Sequence, residues 1–81
     1  MKLEVRLFAR ARDAAGAERV TVDLPAEARV GDLRAALAAG YPRLAPLAPS
    51  LLVAVGNEYA GDQAVLGGDS EIACFPPVSG G

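Results

Sequence analysis

Histidine and tryptophan are absent from this chain of 81 residues, and cysteine occurs once. Without histidine, the usual general base near neutral pH and the commonest metal ligand are both missing. The single cysteine, Cys74, forms no internal disulfide and cannot supply a thiolate cluster for a metal. As a lone nucleophile it lacks an activating imidazole. It also falls in an apolar strand pattern, where cysteine behaves as a small buried hydrophobe. These absences predict a chain that is no enzyme on its own and holds no metal or cofactor itself.

Lysine is as scarce as cysteine. Lys2 is the only one, so the chain is a poor acceptor for conjugation to itself, and the other cations are arginines scattered from Arg6 to Arg43. The net charge is −2, and no basic stripe with interleaved aromatics appears, so no nucleic-acid partner is expected. Apolar runs such as Leu51 to Val55 are far too short to cross a bilayer. With no charged-then-apolar leader before the first strand-like run, a cytoplasmic location and no membrane partner are expected.

What the chain does contain is apolar material in short, punctuated runs. Hydrophobic residues make up 52%, too many for a disordered chain, and the length predicts one domain with one core. Leu3, Val5 and Leu7 alternate with Lys2, Glu4 and Arg6, the period of a strand with one face on that core. Residues Ala9 to Ala15 predict a short helix closed by Gly16. Val20, Val22 and Leu24 repeat the alternation, and two strands so close in sequence should pair as an antiparallel hairpin.

Val30, Leu33, Ala36 and Leu37 form one helical stripe, with Asp32 in the first turn and Gly40 as the expected C-terminal cap. Pro42, Pro46 and Pro49 predict an irregular connection with one helical turn. Leu51 to Val55 reads as a third strand, central or covered on both faces. Turn-rich segments around short strands at Tyr59–Ala60 and Ala64–Leu66 lead into a final strand, Glu71 to Phe75. Its phase sends Ile72 and Cys74 to the core and Ala73 and Phe75 away from it.

This order predicts an α+β domain in which a mixed sheet packs one face on one principal helix. If the first and last strands pair in the middle of the sheet, Phe8 and Phe75 become neighbours on the face without the helix. Two exposed aromatics there make a docking patch, each contributing roughly 1.5–3 kcal/mol when a partner buries it. The competing reading is that the proline-rich connection covers them.

The chain ends Phe75-Pro76-Pro77-Val78-Ser79-Gly80-Gly81. A terminal Gly-Gly reads either as a frayed end or expression scar, or as a side-chain-free thread that carries a reactive carboxylate at Gly81. From Pro76 to Gly81 the tail reaches roughly 20 Å at about 3.3 Å per residue, enough to enter a neighbouring active site. Pro76 and Pro77 end the last strand and stiffen the base of the tail toward polyproline geometry. The expected division is a globular body at residues 1–75 and an extended tail at 76–81.

The β-β-α-β-β order with terminal Gly-Gly resembles the ubiquitin-like β-grasp fold. Leu66 to Gly81, with Leu7-Phe8-Ala9-Arg10 and Val30-Gly31-Asp32-Leu33, resembles the small subunit of molybdopterin synthase across nearly the whole chain. One departure is Gly56, which separates Val55 from Asn57 before the hairpin.

The resemblance implies that a partner activating enzyme uses ATP and Mg to adenylate Gly81, and that a sulfur donor protein converts it to a thiocarboxylate. It implies further that Phe8, Phe75, Pro76 and Pro77 dock on the large synthase subunit. Val78, Ser79 and Gly80 then insert, and Gly81 donates sulfur to cyclic pyranopterin monophosphate in molybdenum cofactor biosynthesis. A terminal Gly-Gly alone also fits carriers for thiamine, cysteine or tRNA thiolation, or a modifier attached to lysines through Gly81. A β-grasp interaction module with an inert tail is the reading from a different class.

Overall fold

The computed structural model describes residues 1–77, and Val78, Ser79, Gly80 and Gly81 lie outside the described residues. Strand β1 (Lys2–Leu7) buries Leu3, Val5 and Leu7 and exposes Lys2, Glu4 and Arg6. Helix α1 (Ala9–Ala15) ends at Gly16, whose φ of 76° lies in the left-handed region and whose amide donates to the Arg12 carbonyl. Glycine adopts that cap without a Cβ penalty. Strand β2 (Arg19–Asp23) then pairs antiparallel with β1, placing Leu3 opposite Val22 and Val5 opposite Val20. The predicted hairpin forms, with α1 in its connection.

Helix α2 (Val30–Gly40) turns Val30, Leu33 and Leu37 into the core. The Arg29 amide donates to Asp32 Oδ2 at 2.8 Å, so the carboxylate satisfies an otherwise unpaired donor and faces the positive end of the helix dipole. Gly40 is not the cap: it is the last helical residue, and Tyr41 follows it with a φ of −133°. The Tyr41 amide donates to the Leu37 carbonyl at 2.9 Å, and its hydroxyl donates to the Thr21 carbonyl at 3.1 Å. A partner on β2 therefore fixes the end of the helix, which local propensity had assigned to glycine.

The proline-rich connection contains two 3-10 turns, Pro42–Leu44 and Ala48–Ser50, rather than one, and buries Leu44 and Ala48. Strands β3 (Leu52–Val55) and β4 (Glu58–Tyr59) make a hairpin in which Val55 faces Glu58 across Gly56-Asn57. Gly56 has a φ of 65°, and a two-residue turn of type II′ calls for glycine at that first position. The residue that interrupts the expected pattern is thus the one the turn requires. Val65 contributes only an isolated bridge to Arg29.

Strand β5 (Ile72–Phe75) lies parallel to β1 and antiparallel to β3, and completes a mixed sheet in the order β2-β1-β5-β3-β4. Val53 is buried, whereas Leu52 and Ala54 are half-buried. β3 is thus interior to the sheet but covered on one face only. One sheet face and α2 enclose Leu3, Val5, Leu7, Val20, Val22, Leu33, Leu37, Ile72 and Cys74. The α+β arrangement read from the sequence is the one observed.

Arg34 locks the connection onto the helix. Its Nη1 donates to the carbonyls of Ala48 at 2.6 Å and Leu51 at 2.8 Å, and its Nε and Nη2 reach Asp62 Oδ1 at 3.1 and 3.0 Å. A planar fork serves three acceptors at fixed angles, which an ammonium group cannot reproduce. We expect Arg34→Lys to lower unfolding free energy by about 1–2 kcal/mol in urea titrations, with the far-ultraviolet dichroism of the folded state unchanged.

Cys74 is fully buried, and that burial pushes its thiol up from 9.0 to about 11, against a smaller opposite pull from the Arg34 cation. The folded state therefore holds this proton more tightly than the unfolded state. Its contribution is whole below pH 9 and drains as pH rises toward 11, by on the order of 2 kcal/mol. Comparison of wild type with Cys74→Ala between pH 8 and 11 should show a steeper loss of stability in the wild type. Native protein should also resist thiol reagents at pH 8 until denaturant is added.

Candidate functional site

The parallel pairing of β1 with β5 sets Arg6 opposite Ala73 and Leu7 opposite Cys74. One residue further on, the Phe8 amide donates to the Cys74 carbonyl at 3.2 Å, so Phe8 arrives beside Phe75. Phe8 continues the outward phase of Lys2, Glu4 and Arg6, and Phe75 continues that of Ala73. Their rings stack with centroids 4.6 Å apart and planes 10° from parallel. Immediately after Phe8, Ala9 has a φ of 52°, a left-handed conformation that costs a residue with a Cβ roughly 1 kcal/mol. That sharp turn starts α1 while Phe8 keeps the phase of the strand.

Three further side chains complete the surface. Leu52 stands opposite Phe75, and Ala54 stands opposite both Ala73 and Tyr59. The Tyr59 ring meets Phe75 edge-on, with centroids 6.4 Å apart at 79°, and Tyr59 is 70% exposed. The Arg6 guanidinium carbon lies 5.3 Å from the Phe8 ring centroid, in position for a cation–π contact. The open face of the sheet thus ends in an aromatic patch bordered by a cation.

The structure brings Phe8 and Phe75 together as the phases predict, but it corrects their exposure. Both rings are half-buried, because each covers one face of the other. The 3-10 turns of the proline-rich connection pack against α1 and α2, so the competing reading, in which that connection covers the aromatics, is set aside. Tyr59 and Leu52 are members that sequence reasoning missed. A two-residue strand has no periodicity from which to assign a face to Tyr59. The run from Leu51 to Val55 is apolar at every position, so no alternation singles out Leu52.

Pro76, half-buried, and Pro77, exposed, follow directly from Phe75, outside the strand. The predicted insertion residues Val78, Ser79 and Gly80 and the predicted reactive residue Gly81 lie outside the described residues. Among the described residues no group of three His, Cys, Asp or Glu side chains is placed to hold a metal. No described helix is long and apolar enough to cross a membrane. What the described surface offers is flat, rigid aromatic area with a polar handle on Tyr59, suited to burial against another protein.

Comparison with known proteins fits this geometry. The ThiS family model matches residues 5–81. The molybdopterin synthase sulfur carrier subunit of Caenorhabditis briggsae is 36% identical over 83 residues, covering 100% of this chain and 99% of the relative. Small archaeal modifier protein 1 of Haloferax volcanii is 38% identical over 88 residues, covering 98% of this chain and 100% of the relative. The crystal structure of the Haloferax volcanii protein superposes with a TM-score of 0.85 at 32% identity and 100% coverage of both chains. In sequence and in ubiquitin-like β-grasp architecture alike, the chain belongs to the ThiS family.

Proposed function

We propose that this chain is the sulfur-carrier subunit of a cytoplasmic molybdopterin synthase, with the carboxylate of Gly81 as its reactive group. The observation that carries the reading is similarity, over the full length, to subunits named as molybdopterin synthase sulfur carriers. The position of the aromatic patch supports it. β5 ends at Phe75, so a body docked through Phe8, Phe75 and Tyr59 starts Pro76 and Pro77 at the interface and directs Val78 to Gly81 into the partner.

In this mechanism the Gly81 carboxylate attacks the α-phosphorus of ATP, held with Mg by an activating enzyme, and pyrophosphate leaves. The terminal sulfur of a donor-protein persulfide then displaces AMP to give an acyl disulfide, and a second thiol cleaves its S–S bond, releasing the thiocarboxylate as a disulfide forms on the donor. The thiocarboxylate sulfur bonds to cyclic pyranopterin monophosphate in the large subunit, water cleaves the acyl–sulfur bond and restores the Gly81 carboxylate, and a second transfer completes the dithiolene. This chain supplies the thread and the docking surface. Proton transfers and substrate binding fall to the large subunit, in keeping with a chain that has no histidine and no lysine beyond Lys2.

A second reading has its own observation. The Haloferax volcanii relative is named a modifier, which favours conjugation of Gly81 to lysines of other proteins after the same activation. Both readings share the adenylate and differ in the acceptor.

Mass spectrometry of intact chain produced with its activating enzyme and sulfur donor tests the carrier reading. The terminus should exchange one oxygen for sulfur, and deletion of Gly81 should abolish that exchange without lowering the melting temperature. An unaltered mass under thiocarboxylate-preserving conditions rules the carrier reading out. A product joined to lysines, with no sulfur transferred to the pterin, favours the modifier.

Phe75→Ala should weaken binding to the large subunit tenfold or more, because loss of an aromatic anchor removes roughly 1.5–3 kcal/mol of burial. An unchanged dissociation constant, measured by calorimetry, removes Phe75 from the interface.

A further inference from the structure

The open face holds one arrangement that works against the stability of the fold. Strand register sets Arg6 on β1 directly opposite Arg19 on β2. The Leu7 amide donates to the Glu18 carbonyl at 2.7 Å, so the adjoining Arg6–Arg19 pair is of the non-hydrogen-bonded kind, whose facing side chains come closest. Like charges directly opposite one another destabilise a sheet. The chain as a whole is acidic, with a net charge of −2, so this facing pair of cations does not follow from a generally basic surface.

Arg12 joins them: Arg6, Leu7, Phe8, Arg12, Glu18 and Arg19 line one cleft of about 60 Å³. Two of the arginines have an acidic neighbour, Arg19 with Glu4 at 3.5 Å and Arg12 with Asp13 at 4.0 Å. Among the described residues Arg6 has none, and its guanidinium rests over Phe8, one of the two stacked rings of the patch. The cation without a carboxylate partner is therefore the one in contact with the aromatic surface.

We propose that Arg6, with Arg19 and Arg12 at its flank, receives a single carboxylate side chain from the large subunit when the Phe8–Phe75–Tyr59 surface docks. This rests on the docking reading above and adds the chemistry at the rim. A guanidinium presents parallel donors that match a carboxylate. The acceptor is one carboxylate rather than a phosphate, because Arg12 and Arg19 already have carboxylate neighbours and a single guanidinium is left to pair. An acidic residue beside an aromatic-binding groove sets the orientation of docking and speeds encounter.

The test is calorimetry of the full chain with its large subunit, at low and high salt, for wild type, Arg6→Gln, Arg6→Gln/Arg19→Gln and Phe75→Ala. The double variant should bind roughly five- to tenfold more weakly at low salt, and the deficit should shrink at high salt as screening removes what the charges supply. Arg6→Gln should show most of that loss. Phe75→Ala should lose affinity at both salts.

The melting temperature of the double variant should equal or exceed that of wild type, since the cross-strand repulsion is gone. Unchanged affinity and salt dependence in the double variant, with Phe75→Ala impaired, overturns the rim assignment and leaves the docking reading standing. Absence of any wild-type binding overturns both. A lowered melting temperature also overturns the assignment, because the arginines would then be holding the fold. Inhibition by phosphate beyond that by chloride at equal ionic strength replaces the carboxylate with a phosphate-bearing occupant.

Discussion

The parallel pairing of the first and last strands is the constraint on which the rest of this molecule depends. β1 and β5 meet at Val5–Ile72, Arg6–Ala73 and Leu7–Cys74, in the interior of a sheet whose edges are β2 and β4. Everything between them must form a crossover that brings the chain back in the same direction, and α2 occupies that crossover. Non-local pairing of this kind must offset loop-closure entropy before it gains a contact. Its consequence is positional: β5 ends beside the start of α1, so Pro76 and Pro77 leave from the interior of the sheet rather than from an edge.

The same pairing divides the sheet into a closed inner face and an open outer one. On the inner face Leu3, Val5, Leu7, Ile72 and Cys74 close against α2, and the absence of buried unpaired side-chain donors or acceptors among the described residues leaves that core without a polar defect. On the outer face the alternation continues into Phe8 and Phe75 and places two aromatic rings where no element of the described chain covers them fully. The strained turn at Ala9, with a φ of 52°, lets one strand deliver a core residue and a surface aromatic in succession before the chain reverses. The aromatic surface is built as an extension of the strands that make the core, and it inherits their rigidity.

The open face also shows stability given up locally. Arg6 opposite Arg19 is a poor cross-strand pair, as is an alanine held in left-handed conformation, and both lie next to the aromatic patch. The three-acceptor clasp of Arg34 and the Tyr41 hydroxyl bond to Thr21 belong instead to α2 and its C-terminal end, where they fasten the connection and the end of the helix. The bonds that fasten the fold thus come from the helix, and the unfavourable pairs come from the open face of the sheet.

Period-two alternation in β1, β2 and β5, the apolar stripe of α2 and the capping glycine at Gly16 were legible in the sequence, because each is fixed by contacts within a few residues. The proximity of Phe8 and Phe75 followed from phase alone once the two end strands were assumed to pair. The cap at Tyr41, the single-bridge fate of Val65, the one-sided burial of β3 and the membership of Tyr59 and Leu52 in the patch were not legible. Each depends on a partner more than ten residues away, and nothing local encodes it. Sequence by itself determined which residues face inward or outward along β1, β2, α2 and β5. Only the tertiary structure decided which outward residues become neighbours, because register across the sheet is set by packing of the whole core.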